Sequence, residues 1–184
     1  FCNFNGDRST GISIIKINNK LDSGDIYSIF EQNIKEDDDK ISLEKKLTEL
    51  CNANLFNVLD KINSNKLNPS PQDHSKATYC NKVLKQESEI NFNDKSTNII
   101  NKFRAYIEWP GTYFKYKNKV IKIHKIKKTN ENSTDIPGSV YKIDKTGLYI
   151  NTIDQVVVIT NLQFQNKNII SSIDLYNSHM EFFS

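Results

Sequence analysis

Residues 6–26 constrain the fold more than any other part of the chain, because they join an apolar run to two turns. The run covers residues 12–17, ends at Ile17 and is bounded by a glycine and by two asparagines, which is typical of a buried strand. Asp22 and Asp25 then flank a Ser-Gly pair just beyond the predicted strand, where α/β sheets place reacting groups. Asp, Ser and Gly are also common turn formers, so these residues by themselves fit an ordinary solvated turn as well.

This stretch resembles the end of the catalytic domain of the methionyl-tRNA formyltransferases. Both contain Gly-Asp-x-x-Thr-Gly, an apolar strand and a Leu-Asp-x-Gly-Asp turn, although Lys20 and Ser23 replace the glycine and threonine usual in the family. Two later segments extend the resemblance over nearly the whole chain. Residues 77–90 carry Tyr-x-x-Lys-x-x-Lys-x-Glu, and residues 104–111 carry Arg-Ala-x-x-x-Trp-Pro-Gly. Three motifs in the same order are far more specific than a single one.

The resemblance implies an α/β Rossmann-like formyltransferase domain followed by a small OB-like β-barrel domain. Because the chain begins without Met and almost on a strand, we expect a piece of a longer protein, with residues 1–64 as the C-terminal part of the catalytic domain. Residues 65–88 are the predicted linker, rich in Asn, Ser, Lys and Pro, with a Pro-Gln pair at Gln72 that is common in the family. Residues 89–184 are the predicted C-terminal tRNA-binding domain.

The apolar pattern also predicts the elements of the first part. Residues 26–30 continue as a strand, and Ser42 fits the N-cap of a helix over residues 42–62. Apolar residues recur in this helix at steps of three and four and form one stripe for packing against a sheet. They are Leu43, Leu47, Leu50, Cys51, Leu55, Leu59 and Ile62.

Short strands separated by turns dominate the last part of the chain. Asp94 fits the N-cap of a helix that reaches about Tyr106, and Pro-Gly then ends it at a corner where we expect Trp109 to be buried. Five or six strands at this spacing favour a five-stranded Greek-key barrel. The predicted strands cover residues 112–117, 120–126, 139–143, 147–150, 156–160 and 162–164, and residues 172–178 form a short closing helix.

The resemblance implies a reaction and places one catalytic group in this chain. In the family, an Asn, a His and an Asp together move a formyl group from 10-formyltetrahydrofolate to the amino group of methionyl-initiator-tRNA, in translation initiation. Asp22 matches the aspartate, which holds the histidine charged and helps to relay a proton. The Asn and His would lie upstream of Phe1, so we expect residues 1–184 alone to be inactive. One wall of the pterin pocket is implied at Asn18, Asn19, Lys20, Leu21 and Asp22.

Basic residues are concentrated in the second half of the chain. Residues 76–129 contain 13 lysines and arginines against four acidic residues, with aromatic residues between them. Such a surface can follow a phosphate backbone and stack on bases, but a solvated lysine-rich hairpin has the same composition. The resemblance implies contact with initiator tRNA through this region. The candidate RNA-binding residues are Lys82, Lys85, Arg104, Lys115, Lys117, Lys119, Lys122 and Lys125.

Other classes of site have little support in the sequence. The three cysteines and three histidines lack metal-site spacing, and no apolar run approaches the roughly 18 residues of a membrane span. We therefore expect no metal and no membrane association. The resemblance implies a monomer in the bacterial cytoplasm or an organellar matrix. Two alternatives stay open: a sugar-nucleotide N-formyltransferase, and a lysine-rich barrel that binds RNA without catalysis.

Overall fold

The computed structural model describes residues 2–183. They divide into two compact units, one made of Cys2 with residues 7–81 and the other of residues 3–6 with residues 82–183. The domain boundaries after residues 64 and 88 remain sequence predictions. Across the described residues, no helix combines the length and the apolar character of a membrane span.

The first unit contains a β-hairpin and one long helix. A single helical turn, α1 (Cys2–Asn5), precedes the hairpin in the chain, and its residues 3–5 belong to the second unit. In the first unit, strand β1 (Ser9–Ile15) pairs antiparallel with β2 (Ile26–Asn33). Both strands were predicted, but β1 ends before Ile17, which is 93% exposed, so the predicted buried run was too long at its end. The strand pairing described for this unit is antiparallel, and the Rossmann-like sheet is therefore not confirmed by residues 2–183.

Helix α2 (Lys40–Asn63) begins with a capping box. The Asp39 carboxylate accepts a hydrogen bond from the Ser42 N–H at 2.9 Å, and the Ser42 hydroxyl accepts one from the Asp39 N–H at 3.1 Å. The prediction of Ser42 as N-cap is therefore wrong. Asp39 is the cap because its backbone is still extended, whereas Ser42 already lies in the first helical turn.

The buried side of α2 follows the predicted stripe except near its end. Val58 is buried, whereas Leu59 is 47% exposed, so Leu59 was wrongly placed in the stripe. Val58 takes that position because it lies three residues after Leu55 and four before Ile62, which keeps these three side chains on one helical face.

A buried carboxylate lies immediately before this helix. Asp38, whose side chain is 4% exposed, accepts hydrogen bonds from the Lys46 ammonium at 2.6 Å, the Lys35 N–H at 2.8 Å and the Ser42 hydroxyl at 2.9 Å. Burial by itself raises the pKa of Asp38, but the three donors outweigh burial and lower the pKa to about 2. The folded state therefore stabilises the ionised carboxylate.

Asp38→Asn is expected to destabilise the full-length protein by about 2 kcal/mol at neutral pH, because the stabilisation that lowers this pKa depends on the charge. The folded-state pKa lies below the unfolded one, so the contribution is present above about pH 4 and is lost as the pH falls towards about 2. Urea titrations at a series of pH values measure the difference. Asp37→Asn, at an exposed neighbour, is the control. An unchanged free energy of unfolding for Asp38→Asn would contradict this assignment.

Besides residues 3–5 of α1, the second unit contains two longer helices and six strands. They are α3 (Ser96–Tyr106), β3 (Thr112–Tyr116), β4 (Lys119–Asn132), β5 (Val140–Asp144), β6 (Gly147–Asn151), β7 (Gln155–Phe164), β8 (Ile169–Ser171) and α4 (Ser172–Phe183). The strands form one antiparallel sheet in the order β3-β4-β7-β6-β5, and β8 also pairs with β7. Within residues 2–183, β3 and β5 are not paired with each other, so the predicted closed barrel is not confirmed.

The β3–β4 hairpin is confirmed, but β7 differs from its prediction. Lys117 and Asn118 both have positive φ, as a tight hairpin turn requires. Strand β7 is continuous where the sequence predicted two strands, because Asn161 pairs with Lys125 of β4 and with Ser171 of β8. Pairing on both edges keeps a polar residue in the strand.

The core of this unit lies between the sheet and the two helices. Ile99 of α3 and Leu175 and Phe183 of α4 are almost fully buried against the inner side of the sheet. The buried sheet residues in this cluster are Phe114, Ile121, Ile123, Ile126, Leu148, Ile150, Val157, Ile159 and Leu162. Their burial is the main stabilising contribution to the unit.

Two predictions around α3 are wrong. The carboxylate at the start of the helix is not that of Asp94 but that of Asp154, which accepts a hydrogen bond from the Ser96 N–H at 2.8 Å. Trp109 is 56% exposed and not buried. The Gly111 N–H bonds the Tyr106 carbonyl at 2.9 Å, and this tight reversal leaves the indole outside the core, which aliphatic and phenylalanine side chains fill.

Candidate functional site

An open cleft of about 300 Å³ lies where β1 ends in the first unit. Residues 15–22 and Gly24 line it. This lining includes all five positions at which the sequence placed the pterin pocket, namely Asn18, Asn19, Lys20, Leu21 and Asp22. The structure thus brings these five positions together on one concave surface.

Asn18 organises the first half of the loop that lines the cleft. Its side-chain oxygen accepts hydrogen bonds from the Lys20 N–H at 2.9 Å and from the Ser23 hydroxyl at 3.0 Å. An asparagine that bonds the backbone two residues on forms an Asx turn, which shapes a loop without regular secondary structure. Lys20 is not among the described residues with positive φ, so the turn accommodates lysine where the resembled family usually has glycine.

The second half of the loop depends on two unusual backbone positions. Asp22 is exposed and has φ +52°, in the left-handed region that Asp tolerates better than most residues. Gly24 is buried, and a Cβ at this position would overlap the carbonyl oxygen of Lys16. The Lys16 N–H donates to the Asp25 carbonyl at 2.8 Å and closes the loop.

The chain returns to this loop after helix α2. Ile26 and Ser70 exchange two backbone hydrogen bonds, of 2.8 and 2.9 Å. Two residues later, the side-chain amide nitrogen of Gln72 donates to the carbonyl oxygens of Asp22, at 3.0 Å, and of Gly24, at 2.5 Å. The sequence placed Gln72 only in a linker and missed this contact, because no local pattern signals a hydrogen bond between residues so far apart in the chain.

The cleft offers both apolar and polar contacts. Ile17 and Leu21 belong to its lining and are 93% and 92% exposed. Residues 18–20 lie between them and add polar groups, and Asp22 adds a carboxylate. Aliphatic side chains beside a few polar groups are typical of small-molecule sites.

The candidate RNA-binding residues lie on different local surfaces of the second unit. Lys122 and Lys125 are exposed on β4, and neither side chain forms an ion pair or hydrogen bond with residues 2–183. His124, also exposed, has a ring nitrogen 3.0 Å from the Gln163 side-chain oxygen. A β-bulge between Ile123 and Ile126 keeps both isoleucines buried while His124 and Lys125 remain exposed.

Other lysines of the hairpin have partners within the unit. The Lys115 ammonium lies 2.8 Å from the Glu89 carboxylate, and its hydrogen bond lowers the pKa of Glu89. The Lys117 ammonium donates to the Phe182 carbonyl at 2.9 Å, and the Lys119 ammonium lies 4.9 Å from the centre of the Phe182 ring. The ammonium groups of these three lysines thus already interact with other groups of the same unit.

The remaining candidates lie before the sheet. Lys82 and Lys85 are exposed, and Lys85 begins a 3₁₀ turn (Lys85–Ser88). Arg104 is half-buried on α3, with a guanidinium nitrogen 3.4 Å from the Asn101 side-chain oxygen.

Metal ligands are not clustered in the described part of the chain. No group of three or more His, Cys, Asp or Glu residues there is arranged to hold an ion. Cys2, Cys51 and Cys80 are free thiols.

Comparison with known families matches residues 82–180, more than half of the chain, to "Formyl transferase, C-terminal domain". The chain belongs to this formyltransferase family. A methionyl-tRNA formyltransferase of Sulfurihydrogenibium sp. (strain YO3AOP1) is 38% identical to this formyltransferase chain over 170 residues, covering 92% of the chain and 55% of the relative. The resemblance predicted from the three motifs is thereby confirmed. The chain spans about half the length of the curated relatives it matches.

Solved structures show the same fold at low sequence identity. HypX from Aquifex aeolicus, in complex with tetrahydrofolic acid, superposes with a TM-score of 0.69 at 20% identity over 95% of this formyltransferase chain and 31% of that protein. An N-formyltransferase from Helicobacter canadensis, in complex with folinic acid and dTDP-3-aminofucose, gives 0.68 at 20% identity over 86% of the chain and 58% of that protein.

Proposed function

We propose that the full-length protein transfers a formyl group from 10-formyltetrahydrofolate to the amino group of methionyl-initiator-tRNA in translation initiation. The observation that carries the proposal is the exposed Asp22 in the lining of the cleft, at the position that matches the catalytic aspartate of the family. The curated relatives that match most of the chain, named methionyl-tRNA formyltransferases, support the same choice.

Asp22 would act on the catalytic histidine of the full-length protein. Its carboxylate would hold the imidazole charged and help to move a proton away from the attacking amine. The loop around Asp22 is already held by hydrogen bonds from Gln72 and, through Ser23, to Asn18. A carboxylate on a pre-ordered loop needs little reorganisation during the reaction.

The cleft would receive the pterin ring of the proposed formyl donor. Its volume of about 300 Å³ lies at the small end of the range for ligand pockets. The side chains of Ile17 and Leu21 would contact the ring face, and the backbone groups of residues 18–20 would meet its polar edge. The donor would be a co-substrate, and the proposal involves no metal.

A formyl-transfer assay on the full-length protein tests the function. With 10-formyltetrahydrofolate and methionyl-initiator-tRNA we expect formylmethionyl-tRNA, identified by mass spectrometry after hydrolysis. Absence of product from folded protein would overturn the proposal. We further propose a monomer in the bacterial cytoplasm or an organellar matrix, where its tRNA partner would be found.

The second unit would be the OB-like tRNA-binding domain. Lys122 and Lys125, three residues apart on β4, are the pair we select for phosphate contacts, because both are exposed and neither side chain has an ion-pair or hydrogen-bond partner in the described chain. Lysine ammonium groups bind phosphates as point charges, so binding through them weakens as salt displaces the tRNA.

The double variant Lys122→Ala, Lys125→Ala is expected to weaken initiator-tRNA binding by about tenfold at moderate salt and to reduce the slope of log K against log salt by about 1 to 2. Filter binding across a salt series measures both values. The control carries the same charge change at Lys61 and Lys145, which are exposed on α2 and in the β5–β6 turn. Equal losses for both double variants would point to net charge and would contradict a localised surface.

A sugar-nucleotide N-formyltransferase is the second candidate function. The fold similarity to the Helicobacter canadensis N-formyltransferase favours it. Parallel assays with methionyl-initiator-tRNA and with an amino-sugar nucleotide separate the two, since only the true acceptor should be formylated. Tight tRNA binding without formylation of either acceptor would instead favour a non-catalytic RNA-binding protein.

A further inference from the structure

We infer that Gln72 is a positioning residue for Asp22, because its side-chain amide donates hydrogen bonds to the carbonyl oxygens of Asp22 and Gly24. We call this pair of hydrogen bonds the Gln72 clamp. The inference rests on the proposed function, since it assigns Gln72 a part in orienting the proposed catalytic carboxylate. Gln72 itself is not a catalytic residue.

The geometry of the clamp is specific. One amide nitrogen lies 3.0 Å from the carbonyl oxygen of Asp22 and 2.5 Å from that of Gly24. Carbonyl oxygens only accept hydrogen bonds, and a glutamine NH₂ group has two hydrogens to donate. The contact therefore requires the NH₂ end of the amide, and its two hydrogens are matched by two acceptors.

The clamp acts where the backbone most needs support. Asp22 has φ +52°, a left-handed conformation that costs backbone energy even for Asp, which tolerates it better than most residues, so contacts that hold the turn favour it. The Lys16–Asp25 hydrogen bond closes the base of the loop, but it involves none of residues 22–24. Among the described residues, the Gln72 side chain ties residues 22 and 24 to a segment outside the loop.

Gln72 is itself held in place. Ser70, two residues earlier, exchanges backbone hydrogen bonds of 2.8 and 2.9 Å with Ile26 at the start of β2. After it, Asp73 forms a separate local turn by accepting from the Ser75 N–H at 3.1 Å. The glutamine therefore extends from an anchored backbone, and its removal should release the Asp22 loop without unfolding the unit.

Gln72→Met in the full-length protein tests the clamp, because methionine has similar length and no amide donors. We expect amide hydrogen exchange in residues 16–26 to become about tenfold faster, while the thermal midpoint stays within about 1–2 °C of the parent. In the formyl-transfer assay, kcat should fall about tenfold with an unchanged KM for tRNA. Gln32→Met is the matched control, since within residues 2–183 the Gln32 amide donates only to the neighbouring Asn33 carbonyl.

A second variant separates hydrogen bonding from simple packing. Gln72→Glu keeps the shape, but its ionised carboxylate has no donor for the two carbonyl oxygens. Protonation of the introduced glutamate restores one donor. The amide exchange rate of residues 16–26, relative to that of the parent at the same pH, should therefore decrease as the pH falls towards about 5. A merely steric role would give no such pH dependence.

The outcomes separate this inference from the proposed function. Unchanged loop exchange in Gln72→Met, or the same change in Gln32→Met, overturns the inference whatever the enzymatic activity. A parent protein that formylates no acceptor overturns the proposed function, and the exchange experiment still decides whether Gln72 orders the loop.

Discussion

Asp22→Asn in the full-length protein is expected to lower kcat for formyl transfer by about 10²- to 10⁴-fold, while tRNA affinity changes by less than about twofold. Asparagine has nearly the same size as aspartate and tolerates the left-handed backbone at φ +52°. The loop should therefore keep its shape, and the variant removes only the charge that would hold the catalytic histidine protonated.

Steady-state kinetics with both substrates and tRNA binding at equilibrium measure the two effects. Asp7→Asn provides the matched control, because Asp7 is an exposed aspartate of the same unit outside the cleft lining. If Asp22→Asn turned over at a near-normal rate, Asp22 would have no part in the chemistry.

Gly24→Ala is expected to produce the largest structural effect, a loss of about 3 kcal/mol or more in stability together with a severe loss of activity. The added methyl group would overlap the Lys16 carbonyl oxygen, which is backbone and cannot rotate away. The strand end and the loop must then separate, which breaks the Lys16–Asp25 hydrogen bond and displaces Asp22.

Urea unfolding and the formyl-transfer assay measure the outcome. Gly111→Ala is the comparison: Gly111 also cannot accept a side chain without strain, because its φ is +75°, but no atom lies within 4 Å of the added Cβ. Its cost should be only about 1 kcal/mol. Equal costs for the two variants would show that close approach to Lys16 is not what excludes a side chain at residue 24.

The predictions of the two helix caps and of a buried Trp109 failed because they relied on residue type without the three-dimensional position of the residue. Ser42 was expected to cap α2 and Asp94 to cap α3, since both residue types are good caps close to a helix start. The structure instead uses Asp39, whose extended backbone lies just before the first turn, and Asp154, which lies 58 residues from Ser96. Trp109 was expected in the core on residue type alone, yet the turn at Gly111 leaves it 56% exposed.

The sequence by itself determined the elements and the family. Short-range periodicity located the hairpin, helix α2 and most strands of the second unit, and three ordered motifs identified the formyltransferase resemblance, because both kinds of signal lie within a few neighbouring residues. Only the tertiary structure determined which strands lie at the edges of the sheet and which carboxylate caps α3. It also determined how Gln72 contacts the carbonyl groups of Asp22 and Gly24. These contacts join residues far apart in the chain, and the chain must fold before such partners can meet.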